Sequence, residues 1–484
     1  MALPPCAQDT APRHLMSASE PASASASAAV SEQAAALATA PGATQVPVPG
    51  ATQDSVPGAT QDSVPGATQA SVPLATQASV PGATQASVPL ATQAPVPLAT
   101  QASVPLAAQV PASTADSLAS AVERGESSGQ AGGKKPECFF FPSERCSIAP
   151  MVDVTDSIFR RMTRLMSRRV MLYTEMIAAD ALVHEKYHLI DFQEEELPCV
   201  LQLGGADPHK LAIATKVGVK HGYSAINLNA GCPSDKVQSG SFGAVLMKDP
   251  QHLASCYKAM QEAAGAVPVS VKTRIGVDNL DSVDFTLELI GTLYNAGCRH
   301  LIIHARKAWL KGLSPKENRT IPPLDYERVY LLKRTWPDLQ ITINGGITTL
   351  EQCQEHLSKV DGVMLGRAII DNPYLLTALE QNIWEDAIAS PVLAESMPTA
   401  CTLPAALPPL SREEVLEKLI LLGEEVIAAG KPVHLLYRHV LGLFTGCPNA
   451  RLYRRYLSEN MTKRNAPATV IKHAYEAMRR GLRN

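Results

Sequence analysis

Eight short apolar runs, at 147–149, 170–174, 200–203, 225–228, 268–272, 300–303, 340–343 and 362–365, recur at fairly even spacing through the second part of the chain. Between them lie segments of helical period, such as PHKLAIATKVGVKHG and PQHLASCYKAMQEAAG. Short apolar runs read as buried strands, and strand alternating with helix argues for parallel pairing. The order βα repeated eight times predicts an α/β fold of the (β/α)8 TIM-barrel type. An open, doubly wound sheet is the alternative; against it, no run is followed by G-x-G-x-x-G at the start of a helix.

The first 140 residues have a different texture. From 43 to 106 the chain repeats an eight-residue unit, ATQDSVPG drifting to ATQASVPL, with almost no charge or large side chains. Such a stretch buries too little apolar surface to offset its conformational entropy, and regular prolines block a strand ladder, so a disordered extension is expected. Residues 1–30 are rich in Ala and Ser, which hints at a transit peptide, yet Arg13 is their only Arg or Lys, and Asp9 and Glu20 oppose it. No apolar run reaches the ~18 residues of a membrane-spanning helix, so a soluble protein is expected. Its expected location is the cytoplasm, with a plastid or mitochondrion as the alternative. Ten cysteines without a C-x-x-C pair fit reduced thiols better than a disulfide framework, and no metal site is expected. The boundaries read as extension 1–140, barrel 141–385, linker 386–410 and helical domain 411–484.

Polar residues stand at the ends of the runs. Glu175 follows the second, Gln202 sits in the third, Asn229 and Cys232 follow the fourth, Lys272 closes the fifth and His304 follows the sixth. Asn344, Gly345 and Gly346 follow the seventh, and Gly366 and Arg367 the eighth. In a barrel these tips converge on one mouth, the face where barrel enzymes place their chemistry. Each taken singly is more often a satisfied core group, but their agreement in one frame points to a site. Glycines after runs seven and eight let backbone N–H groups approach an anion, and Arg367 can add charge-assisted hydrogen bonds, which suits a phosphate. A phosphate alone does not name the ligand, since other barrels hold substrates in that corner. The amide of Gln202, the cation of Lys272 and His304 suit the polar edge of a flavin.

The longer motifs resemble a known family. YTEM at 173–176, LQLGG at 201–205, NLNAGCPSDKVQSGSFGAVLM at 227–247, VKTRIG at 271–276 and HARKAWLKGLSPKENR at 304–319, with NGG and GR, look like a tRNA-dihydrouridine synthase of the bacterial A-type subfamily. The likeness runs from about Cys146 to the C-terminus and is silent on the repeats. Ala230 stands where the subfamily more often has valine, and a proline-containing stretch at 387–410 lengthens the link between domains. The resemblance implies an FMN-dependent reduction of the C5–C6 double bond of D-loop uridines in tRNA, at positions 20 and 20a, with NADPH as reductant.

Within that resemblance Cys232 is the implied general acid. Hydride from flavin N5 adds to C6, and C5 takes a proton from the opposite face. A free thiol, with a pKa near ~8.5, is mostly protonated at neutral pH and suits that task. Pro150, Met151 and Val152 are implied under the flavin ring, and Gln202, Lys272 and His304 at its polar edges. Asn344, Gly345, Gly346, Gly366 and Arg367 are implied at its phosphate. Asn229 and Arg319 are implied at the uracil's polar edge, with Lys316 in the same loop. That loop carries Arg306, Lys307, Lys311, Lys316 and Arg319 against Glu317.

An RNA partner has a second line of support. Residues 431–484 hold eleven Lys or Arg against Glu459 and Glu476, a balance of +9 in a chain of net charge −3. Helical patterns at 412–429, 432–444, 450–460 and 466–481 read as a small bundle with a basic face, which gives salt-sensitive affinity for nucleic acid. A monomer that binds tRNA, with no membrane partner, is expected. Two other readings stay open: a non-catalytic tRNA-binding or chaperone protein, and a flavin barrel oxidoreductase acting on a free pyrimidine such as dihydroorotate.

Overall fold

A computed structural model of the chain describes residues 141–385 and 403–482. The octapeptide repeats, the Ala/Ser-rich start and residues 386–402 of the expected linker lie outside them. Eight strands, β1 Cys146–Ile148, β2 Leu172–Ala178, β3 Cys199–Gly204, β4 Ala225–Asn229, β5 Val269–Arg274, β6 His300–His304, β7 Gln340–Asn344 and β8 Gly362–Leu365, pair in parallel in the order β1-β8-β7-β6-β5-β4-β3-β2. A bridge between Ser147 and Met171 joins the two remaining edges: Met171 N donates to Cys146 O and Ile148 N to Met171 O, each at 2.9 Å. The sheet is therefore a closed (β/α)8 barrel and not an open doubly wound sheet, and each strand overlaps its expected run.

Burial explains why those runs were apolar. β3, β4 and β8 are buried at every position, enclosed by barrel interior on one side and helices on the other. The longer helices of the barrel are α1 Ser157–Arg164, α2 Pro208–Lys220, α3 Pro250–Ala264, α4 Val283–Asn295, α5 Tyr326–Thr335, α6 Leu350–Leu357 and α7 Leu375–Asn382. α2 and α3 begin with the same device, an Asp whose carboxylate accepts backbone N–H groups and a Pro that has no N–H to leave orphaned.

The C-terminal part holds α8 Arg412–Ala428, α9 Ala450–Asn460 and α10 Val470–Arg480. The pattern at 432–444 predicts a continuous helix, but only His434–Tyr437 is helical and turns follow to Phe444. Docking overrides the period there. Gly442 lies so close to the barrel that a Cβ on it would stand 2.2 Å from Asp371 O, and Thr445 Oγ1 donates to the same carbonyl at 2.8 Å. Arg438 pairs with Asp156 at 3.0 Å, and the Arg412 guanidinium lies 3.9 Å from the centre of the Tyr374 ring. Residues 403–410, the described end of the expected linker, are tied down too: Tyr374 Oη donates to Leu410 O at 2.6 Å and Gln381 Nε2 to Leu407 O at 2.8 Å. One continuous apolar core joins barrel and bundle. Among the described residues no helix is long and apolar enough to cross a membrane.

Candidate active site

Residues two apart on a strand share a face, so Lys272 and Arg274 of β5 lie on one face, each beside a residue of a neighbouring strand, β4 or β6. Asn229 stands in register with Lys272, and Arg274 with His304. Asn229 Oδ1 accepts from the N–H groups of Gly231 at 3.1 Å and Cys232 at 3.0 Å, which folds the turn that carries the thiol. Gly243 closes that turn at φ +68, where a Cβ would stand 2.6 Å from Cys232 O. The Cys232 thiol is half-buried and donates to Ser234 Oγ at 3.4 Å, whereas the free cysteines 146, 199, 256, 298 and 353 are buried.

Cationic groups surround the thiol's turn. Lys272 Nζ donates to Asn344 Oδ1 at 3.1 Å, and Asn344 Nδ2 to Met364 O at 2.8 Å. Burial, then the Arg274 charge, push the Lys272 ammonium down to about 7, with Cys232 opposing them. Burial and the charges of Arg274, Lys272, Arg306 and Arg319 hold His304 well below the usual histidine range, so its imidazole is neutral. No described residue hydrogen-bonds that ring.

Glycine is required in the corner after β7. Gly345 has φ +115 and Gly346 φ +75; a Cβ on the first would meet His304 Cδ2 at 2.6 Å and on the second Tyr326 Oη at 2.7 Å. Gly366 faces Met151 Sδ, 3.9 Å from where its Cβ would be, so the β8 tip adjoins the turn after β1. In that turn Pro150 and Met151 are half-buried and Val152 is 60% exposed. Arg367 Nη2 donates to Arg319 O at 3.1 Å, which brings the basic loop to the same corner. Arg306 Nε is buried there without a hydrogen-bond partner, beside Tyr326 and Arg367. A desolvated N–H aimed at nothing, next to a cradle of glycines, fits an anion such as a phosphate.

Sequence reasoning named Arg306 only as part of the basic run, and it missed Arg274. Buried Arg274 donates to Gly231 O at 2.9 Å, Lys307 O at 3.0 Å and Asn318 O at 3.1 Å, tying the thiol's turn to the basic loop. Its signal was a second cation two residues after Lys272, inside a strand where charge is costly. The basic loop itself divides. Arg306 donates to Pro322 O and Lys307 pairs with Asp281 at 2.6 Å, leaving Lys311, Lys316 and Arg319 exposed and without an ion pair among the described residues. Gln202 is likewise committed: Nε2 donates to Asn227 Oδ1 at 2.8 Å and Oε1 accepts from Asn229 at 2.9 Å. A cavity of about 600 Å³ lies elsewhere, against the C-terminal end of α1 and α8, lined by Arg164, Arg168 and Leu422 among others.

The closed end of the barrel also holds a buried acid. Glu144 accepts from Tyr173 Oη at 3.0 Å, and burial pushes its carboxyl up to about 8. Between pH 4.5 and about 8 the unfolded chain loses that proton while the folded chain keeps it, so this group's stability contribution falls as pH rises. Lys272 acts in the opposite sense: from about 7 to 10.5 the unfolded chain holds a proton that the folded chain has lost, and stability rises. In ligand-free protein Glu144→Gln is expected to remove the falling limb and Lys272→Met the rising one, read from urea midpoints across that range. Limbs unchanged in both variants would mean that neither group titrates there.

Chemistry-bearing side chains gathered at the C-terminal strand ends place the chain among the (β/α)8-barrel enzymes. A family model narrows that class. The dihydrouridine synthase (Dus) family matches residues 147–479, and the chain belongs to that family. It is 47% identical over 336 residues to the "tRNA-dihydrouridine(20/20a) synthase" of Shewanella oneidensis, covering 69% of this chain and 94% of the relative. Relatives of the same description in Escherichia coli strain K12 and Synechocystis are 48% and 46% identical, each over 69% of this chain and over 91% and 94% of their own length.

Proposed function

We propose that the chain is a tRNA-dihydrouridine(20/20a) synthase that reduces the C5–C6 bond of D-loop uridines, with FMN as cofactor and NADPH as reductant. The observation that carries this is the accessible Cys232 thiol, held by Asn229 at a mouth that also presents Lys272 and a neutral His304. A bound, reduced flavin supplies the hydride that C6 of the uracil receives. Cys232 Sγ then gives its proton to C5, and the thiolate is reprotonated from solvent. Lys272 would hold the polar edge of the ring, where a negative charge would offset the desolvation that favours its neutral form and return its proton. His304 and the remaining N–H of Gln202 flank it. Pro150, Met151 and Val152 form the floor, and Asn344, Gly345, Gly346, Gly366 and Arg367, with Arg306, hold the phosphate.

Asn229, Lys316 and Arg319 are assigned to the base. With Oδ1 of Asn229 already accepting two backbone N–H groups, what it has left to offer is an N–H, which suits a uracil carbonyl. A uridine must leave its stack to reach this mouth. Residues 141–385 are the catalytic barrel and 411–484 the tRNA-binding domain in this reading. Arg451, Arg454, Arg455, Lys472, Arg479 and Arg480 are all exposed on α9 and α10, while Tyr437 and Tyr453 are core residues and do not stack on bases. Reversing Arg454 and Arg455 to Glu is expected to weaken tRNA binding about tenfold or more and to lower the log-log salt slope by roughly 1 to 2. Binding titrations at several salt concentrations check this, and an unchanged slope removes the basic face from the interface.

The reading itself is tested by incubating purified protein with NADPH and unmodified tRNA and mapping dihydrouridine. Flavin-loaded protein that binds tRNA without reducing it would favour a non-catalytic role. Turnover of a free pyrimidine instead would move the chain to a different substrate class.

A further inference from the structure

The corner after β7 is built on a peptide with little to hold it. Gly345 and Gly346 stand side by side at φ +115 and φ +75, so the peptide unit between them has no Cβ on either flank. Such a peptide can turn over, exchanging the places of its C=O and N–H, with little steric penalty. The exchange matters to an anion, because an N–H attracts it and a carbonyl oxygen in the same place repels it. A group outside the turn is needed to fix the orientation.

Tyr326 is the group in contact. The PPLDY stretch after the basic loop is pinned where α5 begins: Asp325 N donates to Ala305 O at 2.9 Å, and Asp325 Oδ1 accepts from Arg328 N at 3.0 Å to cap the helix. Tyr326 is thus the first residue of α5, half-buried, and its ring meets His356 of α6 edge-on with centres 4.5 Å apart. From there Oη donates to Gly345 O at 2.7 Å and stands 2.7 Å from where a Cβ on Gly346 would be. Among the described residues this is the one hydrogen bond of the Gly345–Gly346 peptide. That peptide is planar and trans, so drawing its oxygen toward Tyr326 sends the Gly346 N–H to the opposite side. A phenylalanine would pack against His356 as well; only the carbonyl needs the hydroxyl. We propose that Tyr326 is a positioning residue for the anion cradle: by holding Gly345 O, it keeps the Gly346 N–H, and not a carbonyl, available to a phosphate monoester. This deepens the function proposed above and rests on the cofactor being FMN, whose phosphate the corner would take.

The test compares the full chain with its Tyr326→Phe variant, each freed of flavin and titrated with FMN and with riboflavin, which has the same ring and no phosphate. The parent is expected to bind FMN about tenfold or more tightly than riboflavin, since a phosphate takes charge-assisted hydrogen bonds. Tyr326→Phe should weaken FMN binding about five- to tenfold, the scale of one hydrogen bond, and leave riboflavin binding unchanged. A residue that merely supports the fold would weaken both flavins alike, so the ratio of the two dissociation constants decides even if the variant melts at a lower temperature. A ratio equal to the parent's overturns the proposal, and so does a parent that binds both flavins equally. If the parent binds neither flavin, the FMN reading fails and inorganic phosphate alone judges the cradle. A rise in melting temperature with phosphate that the parent shows and the variant loses upholds the role of Tyr326; the same response in both overturns it.

Discussion

Replacing Cys232 by Ala is expected to slow reduction of tRNA by roughly 10² to 10⁴, the usual worth of a positioned general acid, with flavin content and melting temperature unchanged. The size of the effect follows from what the thiol touches. Among the described residues its side chain has one polar contact, to Ser234 Oγ, and it is half-buried, so removing it opens no large cavity and strands no buried partner there. The turn itself is held through the backbone N–H of residue 232, which Ala keeps. Loss of turnover without loss of fold would therefore isolate the proton step. Product analysis of tRNA, flavin absorbance and thermal melting read the three parts, and full activity in the variant would take the acid away from this residue.

Arg274→Lys is expected to cost nearly as much by a different route. The guanidinium reaches three backbone carbonyls in two loops, Gly231 O, Lys307 O and Asn318 O. A lysine ammonium has its three donors on one atom and cannot span that fork. At least one buried carbonyl is left unsatisfied, worth about 1–3 kcal/mol of stability, and both loops drift. Because one carries the thiol and the other Lys311, Lys316 and Arg319, kcat should fall by about 10² and KM for tRNA should rise with it. That joint change separates Arg274 from Cys232, whose loss should leave KM alone. A Lys variant with parental kinetics would show that the two loops stand without the brace.

The barrel was legible because its strands are buried on both faces and so read as apolar runs. The mouth was legible because one frame of eight strands aligns Gln202, Asn229, Lys272, His304 and Asn344. Closure through Met171 was not, since it depends on a bridge outside the regular strands. The segment 432–444 misled for a related reason: its helical period is genuine, but contact of Gly442 and Thr445 with Asp371 unwinds it. The basic loop was half legible. Charge alone could not tell that Lys307 turns to Asp281 and Arg306 to Pro322 O, because those partners come from elsewhere in the chain. Arg274 acts through backbone carbonyls of two loops, which no spacing rule encodes.

The backbone of Gly442 resting on Asp371 leaves no room for even a methyl group between barrel and bundle. The bundle is thus no tethered appendage that could be exchanged as a separate module. Calorimetry should record a single heat-absorption peak for the two together. A side chain wedged in at position 442 would part grip from chemistry while leaving every residue of both intact.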